Sequence, residues 1–282
     1  MIKKDYNDGK KHVHVLSFGA GTQSSAMLIK ALRGDFDGVI PDYIIFADTG
    51  WEPKHVHKWL EKMKEIAKSY GKEIIVASNG NIKEDIERAF KTGERAASLP
   101  LYSENDGEEG IIRRQCTMEY KITPVNRKVR ELLGYGSRDK VNEVVHMWKG
   151  ISTDEIQRVK PSQVGWIRFE YPFIFDEPRN RSECIAFVER EGLGTPPKSS
   201  CIGCPFHNND MWRDIRDNYP DEWQEAVEFD KLIRNHPKPG FKSKLYLHKS
   251  RVPLDEVDFN DDQLNMFNID DFENECEGMC GI

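Results

Sequence analysis

The chain has 282 residues, of which 38% are hydrophobic and 32% charged, a composition typical of a globular protein with a sizeable core. Its 41 Lys and Arg residues are outnumbered by 48 Asp and Glu residues, and the net charge of −7 excludes a global basic field that would hold nucleic acid or an anionic membrane nonspecifically. No apolar run approaches the roughly 18 residues of a membrane span, and residues 1–12 lack the apolar region of a signal peptide. We therefore expect a cytoplasmic protein with no membrane partner.

The amino-terminal third of the chain alternates between strand and helix patterns. Apolar or alternating runs predict strands at residues 12–16, 43–47 and 73–77. Helical spacing of apolar residues predicts helices at residues 26–32 and 53–70. This βαβαβ order predicts a parallel sheet that is covered by helices and joined by right-handed crossovers.

The strand and helix patterns of the rest of the chain are less regular. Residues 91–112 are rich in Gly, Glu and Ser and are expected to form a long loop. We predict a strand at residues 143–148 and helices at residues 123–133, 182–191, 209–216 and 221–234. The division that follows is an α/β domain of residues 1–191 and a cysteine-rich, helical region of residues 192–282 that ends in an acidic tail.

Residues 17–25 form a glycine-rich loop between the first strand and its helix. The backbone N–H groups of such a loop converge, and the helix dipole adds positive potential, so a phosphate or sulfate is the expected guest. An ordinary βα turn is the alternative, since the loop lacks both the Gly-Lys-Ser/Thr of a Walker A motif and the third glycine of a dinucleotide fingerprint. The candidate binding residues are Ser17, Phe18, Gly19, Gly21, Thr22, Gln23, Ser24 and Ser25.

A second candidate ligand segment, Asp48-Thr49-Gly50, follows the second strand. Open α/β sheets bind ligands at the carboxyl ends of neighbouring parallel strands, which would place this segment beside the glycine-rich loop. We expect Asp48 to position a nucleotide or its Mg²⁺; a helix-capping role is the alternative.

Four segments together resemble the phosphoadenosine phosphosulfate (PAPS) reductase family, a branch of the PP-loop, adenine nucleotide alpha-hydrolase-like superfamily that also contains ATP pyrophosphatases and thiolating enzymes. They are residues 16–25, 46–50, 113–127 and 200–205, in the family's order. The resemblance implies a parallel twisted sheet with helices on both faces, and a bound adenine nucleotide. Phe18, Ala20 and Gln23 interrupt the common Ser-Gly-Gly-x-Asp-Ser loop, which leaves ATP and a sulfonucleotide both open.

The same resemblance extends to further anion-binding residues. The segment 150–160 approximately matches the family's Gly-x-Arg-x-x-x-Ser, so Arg158 and Lys160 are candidates to bind phosphate or sulfate; solvated surface charges are the alternative. Segment 113–130 also carries a local basic strip that could meet nucleotide phosphates, a nucleic acid or only solvent. The strip consists of Arg113, Arg114, Lys121, Arg127, Lys128 and Arg130.

The six cysteines are unlikely to form disulfides in a reducing compartment, so we read them first as metal, cluster or redox residues. Cys201 and Cys204 place two thiolates within one turn, and the resemblance implies that Cys116 faces the same site. These three residues would hold a 4Fe–4S cluster whose fourth iron is open or is bound by another cysteine. Zinc held by Cys116, Cys201, Cys204 and His207 is the alternative.

Two more cysteines, Cys276 and Cys280, lie near the last residue of the sequence. PAPS reductases end in a short cysteine-bearing segment whose thiolate attacks the sulfonucleotide, so either residue is a candidate catalytic nucleophile, together with Asp48 at the nucleotide. An acidic tail with incidental thiols is the alternative.

The sequence is compatible with three functions. The first is sulfonucleotide reduction with an electron donor protein. The second is an ATP-dependent sulfurtransferase that adenylates a nucleic acid or small molecule, releases pyrophosphate and takes sulfur from a donor protein. The third is a non-catalytic nucleotide-binding subunit of a modification or defence assembly.

Overall fold

The computed structural model describes residues 1–3, 5–235 and 243–260. Its strands are β1 (His12–Phe18), β2 (Tyr43–Asp48), β3 (Ile74–Ser78), β4 (Tyr102–Asn105), β5 (Glu108–Ile111), β6 (Val144–Lys149), β7 (Ile167–Glu170) and β8 (Lys244–Tyr246). Its α-helices are α1 (Thr22–Arg33), α2 (Lys54–Ser69), α3 (Ile82–Thr92), α4 (Thr123–Leu132), α5 (Pro172–Phe175), α6 (Arg181–Arg190), α7 (Asn209–Asn218) and α8 (Pro220–Asn235).

The main sheet has five strands in the order β3-β2-β1-β6-β7, and every neighbouring pair is parallel. Successive residues of β1 face opposite sides of the sheet. Leu16 packs in a core with residues of α1, α2 and α6, while Val15 packs in another core with residues of α4. Helices therefore cover both faces, and the predicted α/β fold class is confirmed.

A further core lies beyond the carboxyl end of β2. It contains Trp51, Ile82 of α3, Trp212 of α7 and Phe229 of α8, together with Leu245 of β8. The proposed division at residue 191/192 stays a prediction, but this core joins side chains from both parts of the chain. In the part of the chain that the structure describes, none of the helices has the length and apolar character needed to cross a membrane.

The expected loop at residues 91–112 is wrong in part, because it contains the hairpin of β4 and β5. Asp106 and Gly107 have φ values of 49° and 83°, as a two-residue turn of type I′ requires. β8 adds a third, antiparallel strand to this hairpin. The strands are short and half exposed, so they lack the buried alternation on which a strand prediction depends.

Candidate nucleotide and thiol site

The carboxyl ends of β1, β2 and β6 meet at one edge of the main sheet, as the βαβ pattern predicted. Gly150, directly after β6, brings that strand against the first turn of α1. A Cβ atom on Gly150 would lie 2.8 Å from the backbone nitrogen of Ser24, so this close approach requires glycine. The glycine-rich loop and the β6 loop are thereby held together.

The glycine-rich loop is shorter than expected and is buried. α1 begins at Thr22 rather than at residue 26, so Gly19, Ala20 and Gly21 alone link it to β1. Two predicted anion-binding hydroxyls have partners within the protein. The Ser24 hydroxyl accepts a hydrogen bond from the Gly21 N–H at 3.1 Å, and the Ser25 hydroxyl accepts one from the Trp59 indole at 2.8 Å.

Gln23 and Arg158, both predicted to bind the nucleotide, meet at Glu155. The Gln23 amide donates to a Glu155 carboxylate oxygen at 3.0 Å and to the Ser152 hydroxyl at 3.2 Å. The Arg158 guanidinium pairs with the other Glu155 oxygen. Burial raises the pKa of Glu155, and the nearby Arg158 charge opposes that rise. These contacts fasten the β6 loop to α1 and thus shape the site.

Asp48 and Gly50 form a tight turn at the end of β2. An Asp48 carboxylate oxygen accepts a hydrogen bond from the Gly50 N–H at 2.8 Å. The predicted capping role is not seen at α2, whose N-cap is Pro53. Asp48 stays half-buried at the ligand edge of the sheet.

Next to Asp48, a buried polar cluster surrounds the thiol of Cys201. Its Sγ lies 3.2 Å from the Thr49 hydroxyl oxygen and 3.9 Å from a Glu52 carboxylate oxygen. Thr49 donates to the same Glu52 oxygen at 3.0 Å, and the Lys121 ammonium lies 3.9 Å from it. The structure therefore brings predicted residues Thr49 and Cys201 together with Lys121 of the predicted basic strip, and it adds Glu52, which the sequence analysis did not name.

Residues 200–207, which we call the cysteine loop, are packed tightly on the turn that follows β2. The Ile202 N–H donates to the Trp51 carbonyl at 2.9 Å. A Cβ atom on Gly203 would lie only 2.0 Å from the Trp51 ring, so this close packing requires glycine. The loop is thus fixed against the strand end that carries Asp48.

The predicted metal ligands do not form a site for a single metal ion. Cys116 packs beside the same apolar core that contains Cys201, and none of the four described cysteines is in a disulfide. Among the described residues, no three His, Cys, Asp or Glu side chains are placed to hold one metal ion. The Cys₃His zinc set is therefore not formed. A 4Fe–4S cluster spaces its thiolates more widely than one ion does, so Cys116, Cys201 and Cys204 stay predicted cluster ligands.

The other candidate ligands do not complete the set. His207 presents Nε2 to the carbonyl oxygens of Cys201 and Ile202 at 2.9 and 3.1 Å, so this nitrogen is a donor. Burial lowers the pKa of His207 to about 4, which leaves the ring neutral. Cys184 is buried in the core shared with α1. Cys276 and Cys280 lie outside the described residues.

A cationic cleft of about 530 Å³ lies between Lys149 at the end of β6, Ile167 and Phe169 of β7, and residues of segments 113–126 and 160–164. No residue of the glycine-rich loop or of Asp48-Thr49-Gly50 lines it. Arg113, Arg114, Lys149 and Lys160 line it; the one acidic lining residue, Glu119, is paired with Arg95 outside the cleft. Opposed cations in a concave site attract phosphate or sulfate. The predicted anion binder Lys160 therefore lies in such a site.

Two further contacts define the interior of this cleft. The Lys149 ammonium sits 3.6 Å from the centre of the Phe169 ring, a cation–π contact that orients it. Asn126 lines the cleft, and its side-chain oxygen is buried without a hydrogen-bond partner. Arg114 stacks 5.5 Å from the ring of Phe206, which connects the cleft to the cysteine loop.

The predicted basic strip does not form one surface. Lys121 is buried beside Glu52, and Arg127 donates to the Ser78 carbonyl at 2.9 Å. Arg130 donates to the carbonyl of Asp139 at 2.6 Å, and Lys128 pairs with Glu131. Of the six residues, Arg113 and Arg114 line the cleft.

The chain was compared with protein families, curated proteins and solved structures. No family model matches the chain, and no curated protein matches it. Among solved structures, the U34-tRNA thiolase NcsA from Methanococcus maripaludis with its 4Fe-4S cluster is similar, with 13% sequence identity and a TM-score of 0.37. The match covers 81% of this chain and 74% of that chain. At this TM-score we draw no conclusion from the likeness.

Proposed function

We propose that this protein is a PP-loop-type enzyme that binds an adenine nucleotide and performs sulfur chemistry. The observation that carries the proposal is the cationic cleft, which Lys149 at the end of β6 lines and whose Arg114 stacks on Phe206, two residues after Cys204. A cleft that can bind an anionic ligand is thereby connected to the loop that carries two thiols.

The side chains of the cleft have distinct roles in this proposal. Arg113, Arg114 and Lys160 bind phosphate or sulfate oxygens at its rim, and Lys149 binds them in its interior. The oxygen of Asn126 accepts a hydrogen bond from a ribose hydroxyl or a base amino group, because a buried acceptor is costly when left unpaired. Asp48 positions the nucleotide or its Mg²⁺ with its remaining carboxylate oxygen.

Two reactions fit such a site. In sulfonucleotide reduction, a thiolate of Cys276 or Cys280 attacks the sulfur, the nucleotide phosphate leaves, and an electron donor protein then releases sulfite. In ATP-dependent sulfur transfer, an acceptor oxygen of a nucleic acid or small molecule attacks the α-phosphorus and pyrophosphate leaves. Sulfide that a donor protein supplies then attacks the adenylated carbon, the C–S bond forms, and AMP leaves with the acceptor oxygen.

A 4Fe–4S cluster on Cys116, Cys201 and Cys204 remains part of the proposal. Soft thiolate ligands suit such a cluster, and when bound it would supply sulfide. None of the binding roles given above depends on it.

The product of the reaction distinguishes the alternatives. Purified protein is incubated anaerobically with ATP or with PAPS, a dithiol and candidate acceptors, and pyrophosphate and sulfite are measured. We expect one product, and we expect its loss in Lys149→Gln but not in the matched control Lys68→Gln on the exposed side of α2. Nucleotide binding without either product would instead support the non-catalytic subunit and contradict an enzyme.

A further inference from the structure

Two histidines from neighbouring strands are hydrogen-bonded in the amino-terminal half of the sheet. His12 begins β1, about 20 Å along that strand from the glycine-rich loop. Its Nδ1 lies 2.8 Å from Nε2 of His146 on β6. The outer nitrogens face carboxylates: His12 Nε2 is 2.7 Å from Asp8, and His146 Nδ1 is 2.7 Å from Glu170. The result is an unbroken chain of carboxylate, imidazole, imidazole and carboxylate.

Both carboxylates in this chain are ionised acceptors. The hydrogen bond from His12 lowers the pKa of Asp8. Burial raises the pKa of Glu170, but the hydrogen bond from His146 and the charge of the Met1 amino-terminal ammonium outweigh it, so the net shift is downward. Each outer ring nitrogen must therefore carry a proton.

A count of protons then fixes the charge of the pair. Each outer hydrogen bond needs one N–H, and the central bond between His12 and His146 needs one more. Three protons are required, whereas two neutral imidazoles carry only two. The complete chain of hydrogen bonds therefore exists when the two rings share a single extra proton.

The surroundings of the pair come from several elements. Tyr6 stacks on both rings, with centroids 4.0 Å from His12 and 4.4 Å from His146, and burial raises the pKa of its hydroxyl. His14 accepts a hydrogen bond from the Trp148 indole; burial, followed by the His146 charge, lowers its pKa to about 4, so it stays neutral. The other charged or titratable groups near the pair are Met1 N, Asp42, Arg168 and Asp176.

We propose that the His12–His146 pair is a proton-dependent latch that holds the amino-terminal segment, residues 1–11, against the sheet. With the shared proton in place, Asp8 and Tyr6 are fixed to strands β1 and β6, and Ile2 is inserted in the core beside α1. When the proton leaves, one of the three hydrogen bonds is lost.

The sign of the pH dependence follows from this count. The docked segment binds one proton more than a detached segment with two neutral rings, so docking weakens as pH rises. Asp8 and Glu170 remain charged over the range in which histidine titrates, about pH 5 to 8. The latch therefore closes at the acidic end of that range and opens at the alkaline end.

Hydrogen exchange of the full chain tests the latch. The N–H groups of Ile2, Lys3 and Lys10 are hydrogen-bonded to Asp176, Tyr6 and Asp8. The protection of these three amides, corrected for intrinsic exchange, is measured from about pH 5 to about pH 8. We expect it to fall by up to about tenfold per pH unit, the limit for one linked proton. In His12→Gln, protection should be low and independent of pH, while His57→Gln on α2 should behave as the wild type.

A second variant and a second readout guard against a folding defect. Asp8→Asn keeps both rings but removes the anionic acceptor, so the loss of protection should begin at lower pH. Imidazole ¹⁵N spectra should show His12 and His146 changing over the same pH range. Wild-type protection that does not vary with pH, or an unaltered pH dependence in His12→Gln, would overturn the latch.

Discussion

Gly50 shows how strongly one residue can constrain the ligand edge of the sheet. Its φ of 74° lies in the left-handed region, and its N–H donates to Asp48. A Cβ atom here would lie 2.8 Å from the Cα of Asn81, the residue that caps α3. The turn after β2 therefore needs glycine both for its backbone conformation and for its contact with the next loop.

Substitution of Gly50 by Ala should destabilise the fold more than the same change at Gly71. Gly71 also has positive φ, at 70°, but no atom lies within 4 Å of its added Cβ. Both variants carry a conformational cost of about 1–2 kcal/mol. Gly50→Ala should add at least about 1 kcal/mol for displacing Asn81. Urea unfolding measures both; equal losses would show that the contact with Asn81 imposes no cost.

Residue types were easier to predict than their partners. The sequence correctly singled out the segment Asp48-Thr49-Gly50 as the end of a strand, and the structure places Cys201 beside it. The Glu52–Lys121 pair was not foreseen, because its members are far apart in sequence and Glu52 lies outside every motif, while Lys121 was assigned only to the basic strip. Gln23 was expected to contact a ligand but instead reaches Glu155, which only the packing of the β6 loop could reveal.

At the level of elements, the start of α1 illustrates a limit of periodicity. Residues 22–25 are polar, so the sequence pattern begins the helix at residue 26. In the structure these four residues are helical and buried, because Gly150 and Trp59 pack against them. Tertiary contacts thus override a local pattern that reads as a loop.

The strands of the main sheet were predictable for the opposite reason. β1, β2 and β6 are almost entirely buried, and continuous apolar runs are typical of such strands. β7 is only four residues long and was missed, since it has too little sequence for a pattern. A strand this short can be identified only once its neighbouring strand in the sheet is known.

The cysteine loop carries a prediction about bound iron. Anaerobically purified wild-type protein should contain iron and acid-labile sulfide, and Cys201→Ala should lose both. Cys184→Ala is the matched control, since Cys184 is buried in α6, in a different core. Metal and sulfide analysis with a visible spectrum checks this. A colourless wild type without iron, or unchanged iron in Cys201→Ala, would remove the cluster from the account.

For the whole molecule, three buried neutral histidines link stability to pH. Burial lowers the pKa of His14, His207 and His248 to about 4 in each case. An unfolded histidine titrates near pH 6.5, so between about pH 4 and 6.5 the unfolded chain binds more protons. These residues therefore make stability fall as pH decreases through that range.

His248 offers the clearest test of this linkage. Its two ring nitrogens are hydrogen-bonded to Asn209 and Ser250, and neither of these residues lines the cleft. In His248→Gln, the rise of unfolding free energy with pH between about 4 and 6.5 should be shallower than in the wild type by up to about 1.4 kcal/mol per pH unit. Denaturant unfolding over this range measures the slope. An unchanged slope would mean that His248 binds its proton equally in both states.

The charge of the whole chain and that of the cleft have opposite signs. The net charge is −7, yet four cationic side chains line the cleft against the single acid Glu119. Global composition predicts no nonspecific anion binding but could not locate this site. Its members come from the segment before Cys116, the end of β6 and the loop after it, and only the fold brings them together.

The most direct test of the account is calorimetric binding of ATP and PAPS, with adenosine as the ligand that lacks phosphate. We predict that at least one nucleotide binds, that adenosine binds at least about tenfold more weakly, and that Lys149→Gln weakens nucleotide binding about tenfold while Lys68→Gln does not. Equal affinities for adenosine and nucleotide, or no binding of either nucleotide, would contradict an anion-binding cleft as the centre of this protein's function.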